Sequence, residues 1–126
     1  MSDRPNIAVV GATGVVGEAI LEILSSRKFP VGEVFALASE RSVGKQVDFG
    51  NQQLTVEDLA EFDFSRVQIG LFSAGGAISA EFAPKAAAAG CVVVDNTSHF
   101  RYDDDIPLVV PEVNPHAIAD HKARGI

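Results

Sequence analysis

The tightest constraint on this chain lies near its start, where the apolar run Ile7 to Val10 breaks directly into Gly11-Ala12-Thr13-Gly14-Val15-Val16-Gly17. A short run that is apolar at every position marks a strand buried on both faces, as in a parallel sheet covered by helices. Val15, Ala19, Ile20, Ile23 and Leu24 then recur at helical spacing, which predicts an amphipathic helix from Gly14 to about Ser26. Each glycine has a use in such a turn. Gly11 permits the tight bend, Gly14 lets a ligand approach the backbone, and Gly17 lets the helix lie close to the strand. The N–H groups at the helix start, with the positive end of its dipole, suit a bound pyrophosphate. The spacing G-x-x-G-x-x-G is a variant of the commoner dinucleotide motif and takes its meaning from the strand before it and the helix after it.

Strand and helix signals continue to alternate. Pro30 and Gly32 mark a connection, Val34 to Ala38 reads as a strand, and Ser39 to Lys45 as a polar loop. Between Gln46 and Phe64 the pattern predicts one or two short strands, around Val47 to Phe49 and Leu54 to Val56, then a turn or short helix. Val67 to Phe72 is a further strand, ending in Ser73-Ala74-Gly75-Gly76. The alanine-rich segment up to Ala89 is helical by propensity, with a break or a helix start expected at Pro84. Gly90 stops it. Cys91 to Val94 and Leu108 to Val110 read as the last strands, and Pro115 to His121 as a short helix. The expectation is one domain over residues 1–126, α/β and Rossmann-like, doubly wound, with a mainly parallel sheet and helices on both faces. Every glycine-rich or polar loop singled out follows a strand, the edge at which such sheets bind ligands.

A formal charge of −7 and a pI near 4.8 argue against nucleic acid or an anionic membrane surface as the main partner. No apolar run approaches the roughly 20 residues of a membrane span, and the polar start, Met1 to Asn6, shows no signal peptide. A cytoplasmic location is the expectation. One cysteine, Cys91, allows neither an internal disulfide nor a Cys-rich zinc site, and no metal site is expected.

Four further segments bear on chemistry. After Val34 to Ala38 come Ser39, Glu40, Arg41, Ser42 and Lys45. Glu40 could serve as the carboxylate that accepts from the ribose of NAD, but a guanidinium beside hydroxyls at Arg41 and Ser42 suits the 2′-phosphate of NADP. Ser73 and Gly75 stand where small residues let the ribose and nicotinamide side approach. In Asp95-Asn96-Thr97-Ser98-His99-Phe100-Arg101, the residues Asn96, Ser98 and Arg101 form a candidate anion loop. His99, His116 and His121 have no evident catalytic partner, and Asp103 to Asp105 reads as a solvated loop. Cys91 opens a strand at the end away from the ligand edge, with no cation adjacent in sequence to lower its pKa, and reads as a buried structural thiol.

In order, GATGVVG, ALASERSVGK, SAGG, VVDNTSHFR and PLVVPEVN resemble aspartate-semialdehyde dehydrogenase over essentially the whole chain. The resemblance implies NADPH-dependent reductive dephosphorylation of L-aspartyl 4-phosphate to aspartate semialdehyde, the step feeding lysine, methionine, threonine and diaminopimelate synthesis. It implies that Gly11, Thr13, Gly14, Val15, Val16 and Gly17 hold the pyrophosphate. Ser39, Arg41 and Ser42 would meet the 2′-phosphate, and Ser73 and Gly75 would line the cofactor. Arg101 with Asn96 would hold the acyl or inorganic phosphate. Glu112 and Asn114 match the PEVN segment without an assigned role, and Thr97 and His99 stand where the family commonly has small residues.

The family's nucleophilic cysteine belongs to an NPNC-type motif beyond a helix like Pro115 to Gly125, so no catalytic residue is expected in this chain. The expectation is an N-terminal NADP-binding domain, inactive alone, whose parent is a homodimer or homotetramer acting on a small-molecule substrate. Three other readings stand beside this one. Extended short-chain reductases need Tyr-x-x-x-Lys, whereas Tyr102 is followed at that spacing by Ile106. N-acyl-glutamyl-phosphate reductase shares the acyl-phosphate chemistry, but the Arg41-Ser42 loop and DNTSHFR favour the aspartate enzyme. The non-enzymatic alternative is a free-standing nucleotide-binding or interaction module.

Overall fold

The structure, a computed structural model, describes residues 4–97, 99–100, 103, 105–109 and 112–126. Its strands are β1 (Ile7–Val10), β2 (Val34–Ala38), β3 (Gln46–Phe49), β4 (Gln52–Thr55), β5 (Glu57–Asp58), β6 (Ile69–Phe72) and β7 (Val92–Asp95). The α-helices are α1 (Val15–Ser26) and α2 (Gly76–Ala88), and the short helix expected from Pro115 is a 3-10 helix, Pro115–Ala123. Five strands form a parallel sheet in the order β5-β2-β1-β6-β7, while β3 and β4 form a separate antiparallel hairpin. This is the doubly wound arrangement expected.

The pleat of β1 divides the interior in two. Ile7 and Val9 point to one face, where they meet Leu21 of α1 and Val47 of the hairpin. Ala8 and Val10 point to the other, where Phe72, Phe82, Ala83, Ala86 and Val93 gather under α2. A strand buried on both sides has no polar face to present, which is why Ile7 to Val10 is apolar throughout. β5 was not anticipated. It is two polar residues long, and it joins the sheet because Val56, 1% exposed, anchors the segment in the α1-side core. Asp58 then pairs beside Ala38.

Three expectations need correction. The face that α1 buries is Gly17, Ile20, Leu21 and Leu24, whereas Val15 is 85% and Ile23 51% exposed. The contact is set at Gly17, and the residues three, four and seven positions on follow it inward. Pro84 does not break α2, which runs through it. Its ring is exposed, so the carbonyl deprived of a donor lies on the solvent side, while Phe82, Ala83 and Ala86 hold the helix on the sheet. Finally, Leu108 and Val109 form no strand, and Val110 lies outside the described residues. Gly125 instead takes the outer edge of β7, accepting from Val93 N–H at 2.7 Å, and the Asn114 amide donates to the Leu108 carbonyl at 2.8 Å.

Pro84 therefore sits in α2 against its propensity. Proline is about 3 kcal/mol worse than alanine in a helix interior, partly offset because proline also restricts the unfolded chain by up to about 1 kcal/mol. Pro84→Ala should stabilise the fold by ~2 kcal/mol, read as a higher urea midpoint at unchanged slope. An unchanged midpoint would mean that α2 has adapted fully to the ring.

Candidate nucleotide-binding site

β1 pairs with β2 on one side and β6 on the other, and the chain leaves β1 in one direction and returns in the opposite one. Such a reversal opens a crevice at the carboxyl ends of the strands. Here the crevice is a cleft of about 510 Å³, within the range of small-molecule sites. Gly11, Thr13 and Gly14 form its centre, and Ala38, Ser39 and Glu40 close it beyond β2. Asp58, Leu59 and Ala60 form the wall after β5, while Ser73, Ala74, Ile78 and Phe82 form the wall after β6.

The glycines of the turn differ in why they are needed. Gly11 has φ +88°, and a Cβ there would lie 3.0 Å from the Ala74 backbone, so the turn and the β6 loop touch main chain to main chain. Gly11 and Ala12 N–H both donate to the Leu37 carbonyl, at 2.9 and 3.3 Å, fixing the turn to β2. A Cβ at Gly17 would overlap the Gly11 carbonyl oxygen. Gly14 has φ −85°, and its Cβ would meet only the Gly11 oxygen, at 3.5 Å. The fold itself thus requires glycine at 11 and 17, but not at 14, which borders the cleft. Gly14 is also the N-cap of α1 and supplies no capping side chain, leaving the first N–H groups of the helix to an external acceptor.

Ser73 ties the cleft's two sides together. Its N–H and hydroxyl both donate to the Val10 carbonyl, at 3.0 and 3.1 Å, leaving the oxygen's lone pairs on the cleft wall. Gly75, at φ +102°, is the N-cap of α2. Opposite, Asp58 accepts from Ala60 N–H at 3.0 Å, which curls the chain after β5 along the cleft.

Of the residues named from sequence, the cleft brings together Gly11, Thr13, Gly14, Ser39 and Ser73. Gly17 lies buried beneath it, whereas Val15 and Val16 are exposed and outside its walls. Glu40 lines the cleft. Arg41 is exposed and Ser42 half-buried in the same 3-10 turn, Glu40–Ser42, just beyond that wall. Asn96 is exposed after β7, its N–H donating to Phe72 at 2.9 Å, and Arg101 and Ser98 lie outside the described residues. The Asp58-to-Ala60 wall, Ile78 and Phe82 were missed. Recognition of β5 as a sheet strand would have pointed to the first of these, since its carboxyl end must then share the ligand edge.

The remaining candidates fall away from the cleft. Asp103 and Asp105 flank Arg124, at 3.8 and 3.0 Å, and among the described residues no metal-binding cluster exists. His99 is exposed with its ring edge-on to Phe100. Cys91 precedes β7 at the end opposite the cleft and is 2% exposed, and burial pushes its thiol up to about 11. No described helix is long and apolar enough to cross a membrane.

A family model described as semialdehyde dehydrogenase, NAD binding domain, matches residues 6–121. The chain is similar to an aspartate-semialdehyde dehydrogenase of Legionella pneumophila, 62% identical over the whole chain and 36% of the relative's length. It is also similar to a crystal structure of aspartate semialdehyde dehydrogenase II from Vibrio cholerae complexed with ASA. That match has a TM-score of 0.95 at 60% identity, covering 98% of this chain and 40% of that one. An aspartate semialdehyde dehydrogenase from Candida albicans, solved with NADP, matches at TM-score 0.79 and 27% identity, over 93% of this chain and 36% of that one. The chain therefore spans well under half the length of these relatives.

Two predictions follow from the turn and from the thiol. Gly17→Ala should cost ~2–3 kcal/mol as an overpacked contact, whereas Gly14→Ala should stay within about 1 kcal/mol of the parent. Dinucleotide affinity measured by titration calorimetry should nevertheless fall more than tenfold in Gly14→Ala. Full affinity in that variant would remove the turn from the site. For Cys91, a disulfide reagent at pH 8 should label the native chain far more slowly than the urea-unfolded chain, because burial favours the neutral thiol. Equal rates would contradict its placement.

Proposed function

The chain belongs to the semialdehyde dehydrogenase NAD-binding domain family, and on that premise we propose that it is the NADP-holding domain of an aspartate-semialdehyde dehydrogenase. The parent reaction is the NADPH-dependent reduction of L-aspartyl 4-phosphate to aspartate semialdehyde and phosphate. The observation that carries this reading is the cleft at the strand reversal, centred on a glycine turn that opens an uncapped helix. When bound, the nicotinamide supplies the hydride. This chain's residues hold and orient the dinucleotide.

Each part of the dinucleotide has a surface of matching chemistry. The N–H groups following Gly14 suit the pyrophosphate, with no side chain at 14 to obstruct it. Ser39, Arg41 and Ser42 take the 2′-phosphate, with Arg41 one residue from Glu40 of the wall. The wall from Asp58 to Ala60 lies beside Ser39, where an adenosine would rest. Ser73, Ala74 and Gly75 line the path toward the nicotinamide, and small residues there leave the ring room to reach a substrate. Arg101 with Asn96 holds the phosphate of the substrate. Cys91, buried before β7 at the end opposite the cleft, takes no part in this binding.

Glu40 is the residue that acts against NADP, because its carboxylate borders the cleft where a second anion would arrive. Titration of the chain should give NADP at least tenfold tighter binding than NAD, as expected of a charge-assisted contact of ~1.5–3 kcal/mol. Arg41→Ala should remove that preference by weakening NADP alone, and Glu40→Gln should strengthen NADP a few-fold. Equal binding of the two cofactors, or an Arg41→Ala chain that keeps the preference, would refute the 2′-phosphate assignment.

A further inference from the structure

Beyond the residues that face the cleft, Asp95 occupies a position no ligand-binding role accounts for. It ends β7 in register with Phe72, so it stands at the same carboxyl edge as the Ser73-to-Gly76 loop. Its Oδ1 accepts from the Ser79 hydroxyl at 2.9 Å and from Thr97 N–H at 2.8 Å, while its Oδ2 accepts from the Thr97 hydroxyl at 3.0 Å. Ser79 is fully buried and belongs to the first turn of α2, and its N–H donates to the Gly75 carbonyl at 3.1 Å. A buried hydroxyl that donates to a carboxylate satisfies a polar group water cannot easily reach.

We propose that Asp95, through Ser79 and Thr97, is a positioning clamp that fixes the nicotinamide-side wall of the cleft to the loop after β7. The inference rests on the dinucleotide reading above and adds a residue that touches no ligand. On one side, Asp95 holds the start of α2, whose preceding loop carries Ser73 and Gly75. On the other, it holds Thr97, directly after Asn96, the residue assigned with Arg101 to the substrate phosphate. The two loops lie against each other, since a Cβ at Gly76 would sit 3.8 Å from His99 Cβ. One carboxylate thereby sets the spacing between the surface that receives the nicotinamide and the loop that receives the phosphate. The opposite wall, from Gly11 to Glu40, shares none of these bonds. Its turn is held by Leu37 and by contact with the Ser73 loop, and Asp95 bonds to neither.

This separation supplies the test. NADP spans both walls, whereas 2′-phospho-ADP-ribose, which lacks the nicotinamide, uses only the Gly11-to-Ser42 side. Both ligands are titrated against the chain and its variants by calorimetry. Asp95→Asn and Thr97→Val should weaken NADP five- to tenfold while leaving 2′-phospho-ADP-ribose within twofold. Thr97→Ser, which keeps the hydroxyl, should bind both as the parent does. If Asp95→Asn fails to fold, the Thr97→Val and Thr97→Ser pair decides the matter.

Loss of both ligands together, or of neither, overturns the clamp, since a merely structural role would not distinguish them. An unsubstituted chain that binds NADP no tighter than 2′-phospho-ADP-ribose also overturns it, because the clamped wall would then hold nothing. A parent chain that binds neither ligand overturns the dinucleotide reading itself and the clamp with it.

Discussion

Everything in this molecule that points toward a ligand depends on three strands of main chain meeting with no side chain between them. Gly17 of α1 lies against the Gly11 carbonyl, and Gly11 lies against the backbone of Ala74. The first contact draws the start of α1 down onto the end of β1. The second brings the loop after β6 up against the same turn. Their joint effect is to place an uncapped helix start at the reversal of the sheet rather than off its edge. A methyl group at Gly17 would overlap the Gly11 carbonyl oxygen, and one at Gly11 would crowd the Ala74 backbone at 3.0 Å, and close-packed main chain yields poorly to either. The site is a consequence of packing before it is a matter of chemistry.

That dependence explains how unevenly the sequence could be read. The order of elements was legible because β1, β2, β6 and β7 are short, mainly apolar runs bounded by glycine, proline or polar loops, with β1 buried at every position and β2 at all but its first. One or two short strands were visible around Val47 to Phe49 and Leu54 to Val56, but their pairing as the β3–β4 hairpin was not. β5 was not, because Glu57 and Asp58 have no strand propensity and are held in place by the neighbouring Val56. Tertiary anchoring of this kind leaves no local trace. The continuity of α2 through Pro84 and the displacement of Leu108 from the β7 edge are the same kind of failure. In each, a contact distant in sequence decided against the local preference, through the Phe82 face in one case and Gly125 in the other.

The site was legible in its centre and not in its margins. Gly11, Thr13, Gly14, Ser39 and Ser73 could be named because each directly follows a readable strand. Asp58 to Ala60 could not, since the strand before it was unread. The separate uses of the three glycines (bend, ligand approach and helix packing) were legible from their places between strand and helix. Structure divides them, with 11 and 17 demanded by the fold and 14 left open toward the cleft. A motif written as one string thus contains two kinds of constraint, and only the middle glycine speaks directly for a ligand. Position within the same turn likewise separates Glu40, on the wall, from Arg41, beside it.

An acidic chain proposed to hold a polyanion raises a question of scale. The net charge of −7 acts over the whole surface and is screened within about 10 Å at ordinary ionic strength. The N–H groups of the turn and the start of α1 act within a few ångströms, as fixed dipoles that cost nothing to orient when the ligand arrives. At contact distance the local dipoles govern affinity, while the distant charge affects mainly the rate of encounter. Glu40, like Asp58, differs from the remaining carboxylates in this respect, because it stands on the cleft wall itself. A single local anion can therefore weigh more on the choice between two dinucleotides than the remaining acidic surface taken together. The Arg41 guanidinium must offset that local term, one residue away, for a 2′-phosphate to be preferred.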